Sequence, residues 1–447
     1  MSLPSYPQYK ASGVAWLHDV PAHWRISPLK YLVSLKSGGT PSKDNLDYWD
    51  GEVPWASAKD LKTETLADTI DHISSLAVES GNADLVPEGT ILVVVRGMIL
   101  ARTFPVAETL VPMAINQDLK GLIPRTVLTG RFLAWLLRGT ASESLLRLDE
   151  AGHGTKALRM DAWTSMQLPI PPVDEQSTIA AFLDRETGKI DALIAEQEKL
   201  LTLLAEKRLA TISHAVTRGL HSDVSMKDSG VAWLGKVPEH WGVGALTRIS
   251  ERVVVGIAEA ATHAYQETGV PILRSMNIRA GRIEGDILHI DPAFAAERGS
   301  KLIGAGDLVT VRTGNAGVTA VVPMDLDQCQ CFTMLITTLE KGHSAAFYCY
   351  WMNSEAAKCY FQLEGWGTAQ VNISVPILKA LPVPIPPAIE QDDIVAFIEK
   401  EVGKLDELTV EARHAIDLLK ERRGALISAA VTGKIDVRDA APQELAA

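Results

Sequence analysis

"LPIPPVDEQSTIAAFLDRETGKIDALI", from Leu168 to Ile194, is written a second time as "VPIPPAIEQDDIVAFIEKEVGKLDELT", from Val383 to Thr409. Pro171, Gln176, Phe182, Gly188, Lys189 and Asp191 return as Pro386, Gln391, Phe397, Gly403, Lys404 and Asp406. The match continues through "EKRLATISHAVT" (Glu206 to Thr217) and "ERRGALISAAVT" (Glu421 to Thr432). Upstream of each copy stands a tryptophan-bearing phrase, "SGVAWLHDVPAHW" (Ser12 to Trp24) and "SGVAWLGKVPEHW" (Ser229 to Trp241), identical at ten of thirteen positions. A period of roughly 217 residues is far longer than the 20 to 50 of solenoids and propellers, so a whole domain is duplicated. Between the repeated parts, Arg25 to Met166 and Gly242 to Lys379 diverge, sharing scattered features such as the strand-like runs "TILVVVRG" (Thr90 to Gly97) and "DLVTVRTG" (Asp307 to Gly314). The chain alternates a variable body and a shared helical segment, twice.

From Asp174 to Thr217 there is no proline and one glycine, and Ile179, Phe182, Leu183, Ile190, Leu193, Leu204 and Ile212 fall at three-and-four spacing. Ile394, Phe397, Ile398, Leu405, Leu408, Leu419 and Ile427 repeat the pattern. The "PIPP" before each is a start signal, because proline suits a first helical turn and cannot sit deeper. About 43 residues at 1.5 Å each predict a rod of roughly 65 Å. Two apolar stripes of that length cannot both stay wet, so an antiparallel, coiled-coil-like pair is expected, packed through Ile179, Phe182, Leu183, Ile190, Leu193, Leu204, Ile394, Phe397, Ile398, Leu405, Leu408 and Leu419. The alternative is that each helix packs only on its own body. The expected class is α/β (α+β): two globular domains separated by the helix pair, with pseudo-two-fold internal symmetry. The boundaries read as a lead-in 1–24, a body 25–170, a helix 171–220, a second lead-in 221–241, a second body 242–382, a second helix 383–435 and a tail 436–447.

With 447 residues, 47% hydrophobic and 22% charged, the composition is that of a folded chain with room for two to four domains. The N-terminus lacks an apolar signal core and no apolar run approaches a membrane span, which leads to an expectation of a cytoplasmic protein. Cys329, Cys331, Cys349 and Cys359 show no paired ligand spacing and read as reduced core thiols. A net charge of -12 argues against a lone grip on a nucleic-acid backbone, which needs clustered Lys and Arg. Neither a Walker loop nor an H-E-x-x-H helix is present, and no "NPPY" or "DPPY" pocket is found. Two related but divergent bodies on a symmetric spacer suit a ligand with two-fold character, and duplex DNA offers half-sites about 34 Å apart on one face.

"SGGTPSKDNLDYWDGEVPWASAKDL" (Ser37 to Leu61), "INQDLKGLIP" (Ile115 to Pro124), "PILRSMNI" (Pro271 to Ile278), "GWGTAQVNIS" (Gly365 to Ser374) and the twice-written Pro-Pro-x-x-Glu-Gln before a long helix together resemble the specificity subunit of type I restriction-modification systems. The resemblance covers essentially the whole chain. It implies two target recognition domains that each read half of a bipartite asymmetric DNA target. It further implies a spacer that sets the gap and docks an adenine-N6 methylase subunit on each half, and through them the motor-nuclease subunits. It implies no catalysis and no cofactor on this chain, with S-adenosylmethionine, ATP and magnesium on partner subunits. The competing reading is a duplicated adaptor for protein or carbohydrate with no DNA role. The sequence departs from the family where "HGTKALRM" (His153 to Met160) lacks the asparagine of "WGTAQVNIS", and where the second body lacks the "GGTPS" loop.

Base edges are read by Arg and Lys at guanine and by Asn and Gln at adenine, with hydroxyls on phosphates. On loops beside the strand-like runs, those residue types are Ser37, Thr40, Ser42, Lys43, Lys59 and Lys156 in the first body, and Arg274, Asn277, Arg279, Arg312, Asn315 and Gln370 in the second. Each competes with a purely structural or surface role. Trp16, Trp24, Trp233 and Trp241 read as packing anchors for the lead-in segments, and His23 and His240 as local hydrogen-bonders.

Overall fold

A computed structural model describes residues 4–150, 154–257, 262–297, 301–366 and 371–440. The chain divides into two compact units: unit 1 is Met1–Gln197 with His414–Ala447, and unit 2 is Glu198–Arg413. The division cuts through both long helices, Val173–Arg218 and Ala388–Val431, so each unit owns one body, the first half of one helix and the last half of the other.

The repeated letters explain how each helix is held. A short strand runs into each one, Gln167–Ile170 paired with Arg25–Pro28 and Pro382–Ile385 paired with Gly242–Ala245. The repeated glutamine then ties helix to body: Gln176 donates to the carbonyls of Val127 and Pro171 and accepts from the Thr129 amide. Gln391 donates to the Pro386 carbonyl and accepts from the Ser344 amide. Each helix ends on a glycine in the left-handed region, Gly219 (φ 74°) and Gly433 (φ 73°), where only glycine bends the chain without strain. A Cβ on Gly433 would press on Pro21 and Trp24, and one on Gly219 would crowd Trp241. That contact is what the twice-written tryptophan phrase supplies, since Trp24 and Trp241 are both fully buried. His23 and His240 bond far from their own segment, to Glu175 at 2.7 Å and Glu390 at 2.8 Å in the first turn of a long helix; a local partner was expected, but the helix start brings the carboxylate to them.

Within each unit the two helix halves run antiparallel. In unit 1 Asp191 meets Arg423 at 2.8 Å, and in unit 2 Arg208 meets Asp406 at 3.5 Å. These four residues are the same two repeat positions, so one contact is made once per unit with the helices exchanging roles. Ile179, Phe182, Leu183, Ile190, Leu204, Ile394, Ile398 and Leu405 are buried and Leu419 is half-buried. Leu193, Phe397 and Leu408 depart from the expected packing, with exposures of 53%, 39% and 46%. The helix starts pack on their own bodies, Ile179, Phe182 and Leu183 in the core of unit 1 and Ile394 and Ile398 in that of unit 2, instead of on the other helix as expected. Beyond them a helix facing one neighbour buries only a narrow seam, which Ile190, Leu204, Leu405 and Ala412 occupy.

Unit 1 is built on a five-stranded sheet and a four-stranded sheet. The first contains β1 (Val33–Ser37), and β2 (Trp49–Ala56) lies in the second. β3 (Ile91–Val94) is in the first, β4 (Met113–Ile115) in the second and β5 (Leu119–Pro124) in the first. Helix α1 (Gly130–Gly139) covers the core with Phe132, Leu133, Trp135 and Leu136. Unit 2 carries β6 (Ser250–Val255), β7 (Val270–Leu273), β8 (Leu308–Thr310), β9 (Gln330–Cys331) and β10 (Leu335–Leu339), with β6, β8 and β10 in one four-stranded sheet and β7 and β9 in another. Helix α2 (Ala345–Met352) buries Phe347, Tyr348 and Trp351 against the sheet of β6, β8 and β10. Cys329, Cys331 and Cys349 are buried free thiols, and burial pushes Cys329 and Cys349 up to about 12, which keeps them unreactive. Among the described residues, no helix is long and apolar enough to cross a membrane.

Candidate nucleic-acid interface

Strand direction concentrates polar loops at one edge of each unit. In unit 1 β1 lies antiparallel to β5 with Ser37 opposite Lys120, and β3 flanks β5 with Val94 opposite Leu119. β2 runs parallel to β4, placing Ala56 beside Ile115. The C-terminal ends of β1, β2, β3 and β4 therefore meet the start of β5 around the turn Asn116–Asp118. The chain passes so close there that a Cβ on Gly38 would sit 2.1 Å from the Ile115 carbonyl. The "GGTPS" glycine is thus a contact with the turn, not a phosphate loop.

The edge is laid out by hydrogen bonds. Thr40 donates to the Gln117 side chain, and Lys120 donates to Ser37. Arg96, two residues past β3, puts Nε and Nη2 each 2.8 Å from Oδ1 of Asp118. Lys156 lies on a strand paired with Arg96–Gly97 and holds Glu150 at 2.7 Å, which keeps that carboxyl below its ordinary range. Lys59, just past β2, sits 2.6 Å from Asp71, and that bond raises its ammonium pKa. Ser42 and Lys43 are exposed on the loop after β1, where the Ser42 carbonyl accepts from Trp49.

Unit 2 repeats the layout with other side chains. Val255 and Thr310 both stand opposite Leu335, and Leu273 runs parallel beside Cys331, so the ends of β6, β7, β8 and β9 meet the start of β10. Gly256 makes the approach that Gly38 makes in unit 1: a Cβ there would lie 2.3 Å from the Cys331 carbonyl. The second body lacks the "GGTPS" letters but keeps the glycine the geometry requires. Arg312, two residues past β8, donates from Nε to Asn372 Oδ1 at 3.1 Å. Asn315 is exposed beside a cleft of about 250 Å³ that Lys358 and Phe361 also line. Arg274 reaches the Asp286 carbonyl at 2.9 Å, and Arg279 shares Glu284 with Arg282, whose hydrogen bond draws that carboxyl pKa down. Gln370 lies outside the described residues.

One predicted reader is placed elsewhere. Asn277 is 2% exposed, and its amide donates to the carbonyls of Glu284 and Asp286 while accepting from the Arg274 amide. With all of that capacity spent on folding its loop, it has nothing to offer a base. In return the structure brings forward Arg96, Gln117, Lys120 and Asn372, which sequence reasoning passed over as site residues. Arg96 was recoverable, because "VVVRG" and "VTVRTG" place it at the position of Arg312. Forked donors, amides, hydroxyls and lysines on one edge are the groups that duplex DNA contacts require.

Residues 21–202 match the family model described as the type I restriction modification DNA specificity domain. Among curated relatives, the MjaVIII type I restriction enzyme specificity subunit of Methanocaldococcus jannaschii is 23% identical over 96% of this chain and 98% of its own length. The EcoKI specificity subunit of Escherichia coli K12 is 21% identical, over 93% and 90%. The EcoR124I/EcoR124II specificity subunit of Escherichia coli is 31% identical over 33% of this chain, and this chain spans 37% of that relative's length and 40% of the MjaIX subunit's. A chain solved in a study of complex assembly and conformational transition of the type I R-M system superposes with a TM-score of 0.67 at 16% identity, covering 92% of this chain and 98% of that one. The HsdS subunit of Thermoanaerobacter tengcongensis gives 0.54 at 14% identity, over 93% and 98%. The two structural likenesses speak to the fold.

Proposed function

We propose that the chain is a specificity subunit of a type I restriction-modification system and the DNA-reading component of its complex, each unit reading one half of a bipartite asymmetric target. The observation that carries this is the repeated edge: five strand ends converge in each unit, with an arginine at the same strand position and different loops around it. A shared frame with divergent loops is what two unlike half-sites require. The chain acts without catalysis of its own. Methylase subunits, one per half, carry S-adenosylmethionine and transfer its methyl group to adenine N6, and motor-nuclease subunits join through them with ATP and magnesium. The complex works in the cytoplasm, where its DNA is, and the helical repeat sets the gap between half-sites.

The test is selection from a randomised duplex library by the complex of this chain with its methylase. Two conserved blocks separated by a gap of fixed length and free sequence are expected. A single block, or a pool with no conserved positions, would overturn the reading.

A further inference from the structure

Among the cations of the two edges, most are occupied by the fold. Lys59 and Lys156 are each spent on a carboxylate, Arg274 on a carbonyl, and Arg279 and Arg282 on one glutamate. Arg96 and Arg312 differ in their shared place on the edge. Both leave the same strand position, Arg96 after β3 and Arg312 after β8, and in both the chain beside them is pinned by a second segment: Leu158 donates to the Val95 carbonyl and Ile373 to that of Arg312. Both side chains are held from the rear through Nε. Asp118 takes Nε and Nη2 of Arg96 on one oxygen, leaving the outer edge of a half-exposed guanidinium facing away. Asp118 is itself fixed, because its amide donates to Asn116 and its carbonyl accepts from the Val95 amide. Asn372 holds Arg312 by Nε alone, and its backbone bridges Thr313.

An arginine oriented in advance loses little side-chain freedom on binding, and a guanidinium edge matches the O6 and N7 acceptors of guanine in the major groove. A phosphate draws on charge, which Asp118 already balances at Arg96, so the fork's geometry is its remaining asset. Building on the reading above, we propose that Arg96 reads a guanine in the half-site of unit 1 and Arg312 a guanine in that of unit 2, with Asp118 and Asn372 as the positioning residues that aim them.

The test repeats the duplex selection with the methylase complex carrying Arg96→Gln or Arg312→Gln. Arg96→Gln is expected to make one guanine in one block degenerate, with preference there falling tenfold or more, while the other block and the gap stay as in the wild type. Arg312→Gln should do the same in the opposite block. A wild-type motif from either variant overturns the assignment. So does a uniform loss of affinity across positions, which marks a phosphate contact. If either glutamine variant fails to assemble, Asp118→Asn and Asn372→Ala decide, since each keeps its arginine but loosens its aim. A weakened preference at a single guanine supports the assignment, and an unchanged motif overturns it. A wild-type complex that selects no bipartite motif sinks the functional reading, and this assignment with it.

Discussion

Glu175 shows how much one side chain can hold. Buried in the first turn of the first long helix, it accepts from the Tyr6 hydroxyl at 2.7 Å and the Trp24 indole at 3.0 Å and pairs with His23 at 2.7 Å. Among the described residues, its repeat partner Glu390 pairs with His240 in a more exposed setting, and Trp241 Nε1 finds no partner. Glu175→Ala should therefore cost unit 1 about 2–4 kcal/mol by stranding two buried donors, and Glu390→Ala no more than about 1 kcal/mol. Denaturant unfolding of the two variants checks this, and equal losses would contradict it. Asn277→Ala should lower stability by about 1–3 kcal/mol and leave the selected DNA sequence unchanged. A shifted base preference at native stability would restore it as a reader. Residue roles were the least legible layer in the sequence. "PILRSMNI" shows an asparagine beside an arginine, but whether its amide turns outward or folds back onto Glu284 and Asp286 depends on a hairpin closed by later residues.

At the scale of elements the repeat was plainly written. Three-and-four spacing and the proline start predicted two long helices, and the structure has them at Val173–Arg218 and Ala388–Val431. Which apolar residues would turn inward was not legible, because Leu193, Phe397 and Leu408 share the stripe with Ile190, Ile398 and Leu405 and yet stay exposed. The strand-end convergence was hidden for a similar reason: it depends on β2 running parallel to β4, a long-range pairing with no local signal. The reciprocal ion pairs offer a measurement here. Arg423 reaches Asp191 through Nε and Nη2 at 2.8 and 3.2 Å and is largely covered, whereas Arg208 meets Asp406 at 3.5 Å. A double-mutant cycle should give about 0.5–1.5 kcal/mol of coupling for Asp191–Arg423 and below about 0.5 kcal/mol for Arg208–Asp406. A stronger Arg208–Asp406 pair would contradict these geometries.

For the whole molecule, the net charge of -12 sets a limit on what the chain does alone. Phosphate attraction provides most sequence-independent affinity, and an acidic protein has little of it to offer. The isolated chain is expected to bind DNA weakly at physiological salt, with tight binding appearing when the methylase joins; fluorescence anisotropy across a salt series measures both. Nanomolar selective binding by the chain alone would overturn that division of labour. Seven residues, about two helical turns or roughly 10 Å, added near Glu196 should lengthen the permitted gap while leaving both half-sites intact. An altered half-site or an unchanged gap would count against a spacer role. The central claim, that this chain chooses where a methylase acts, is tested most directly by mapping N6-methyladenine by single-molecule sequencing in a host with the chain's gene present and then deleted. The account predicts one bipartite methylated motif that disappears on deletion; an identical methylation pattern in the two hosts would contradict it.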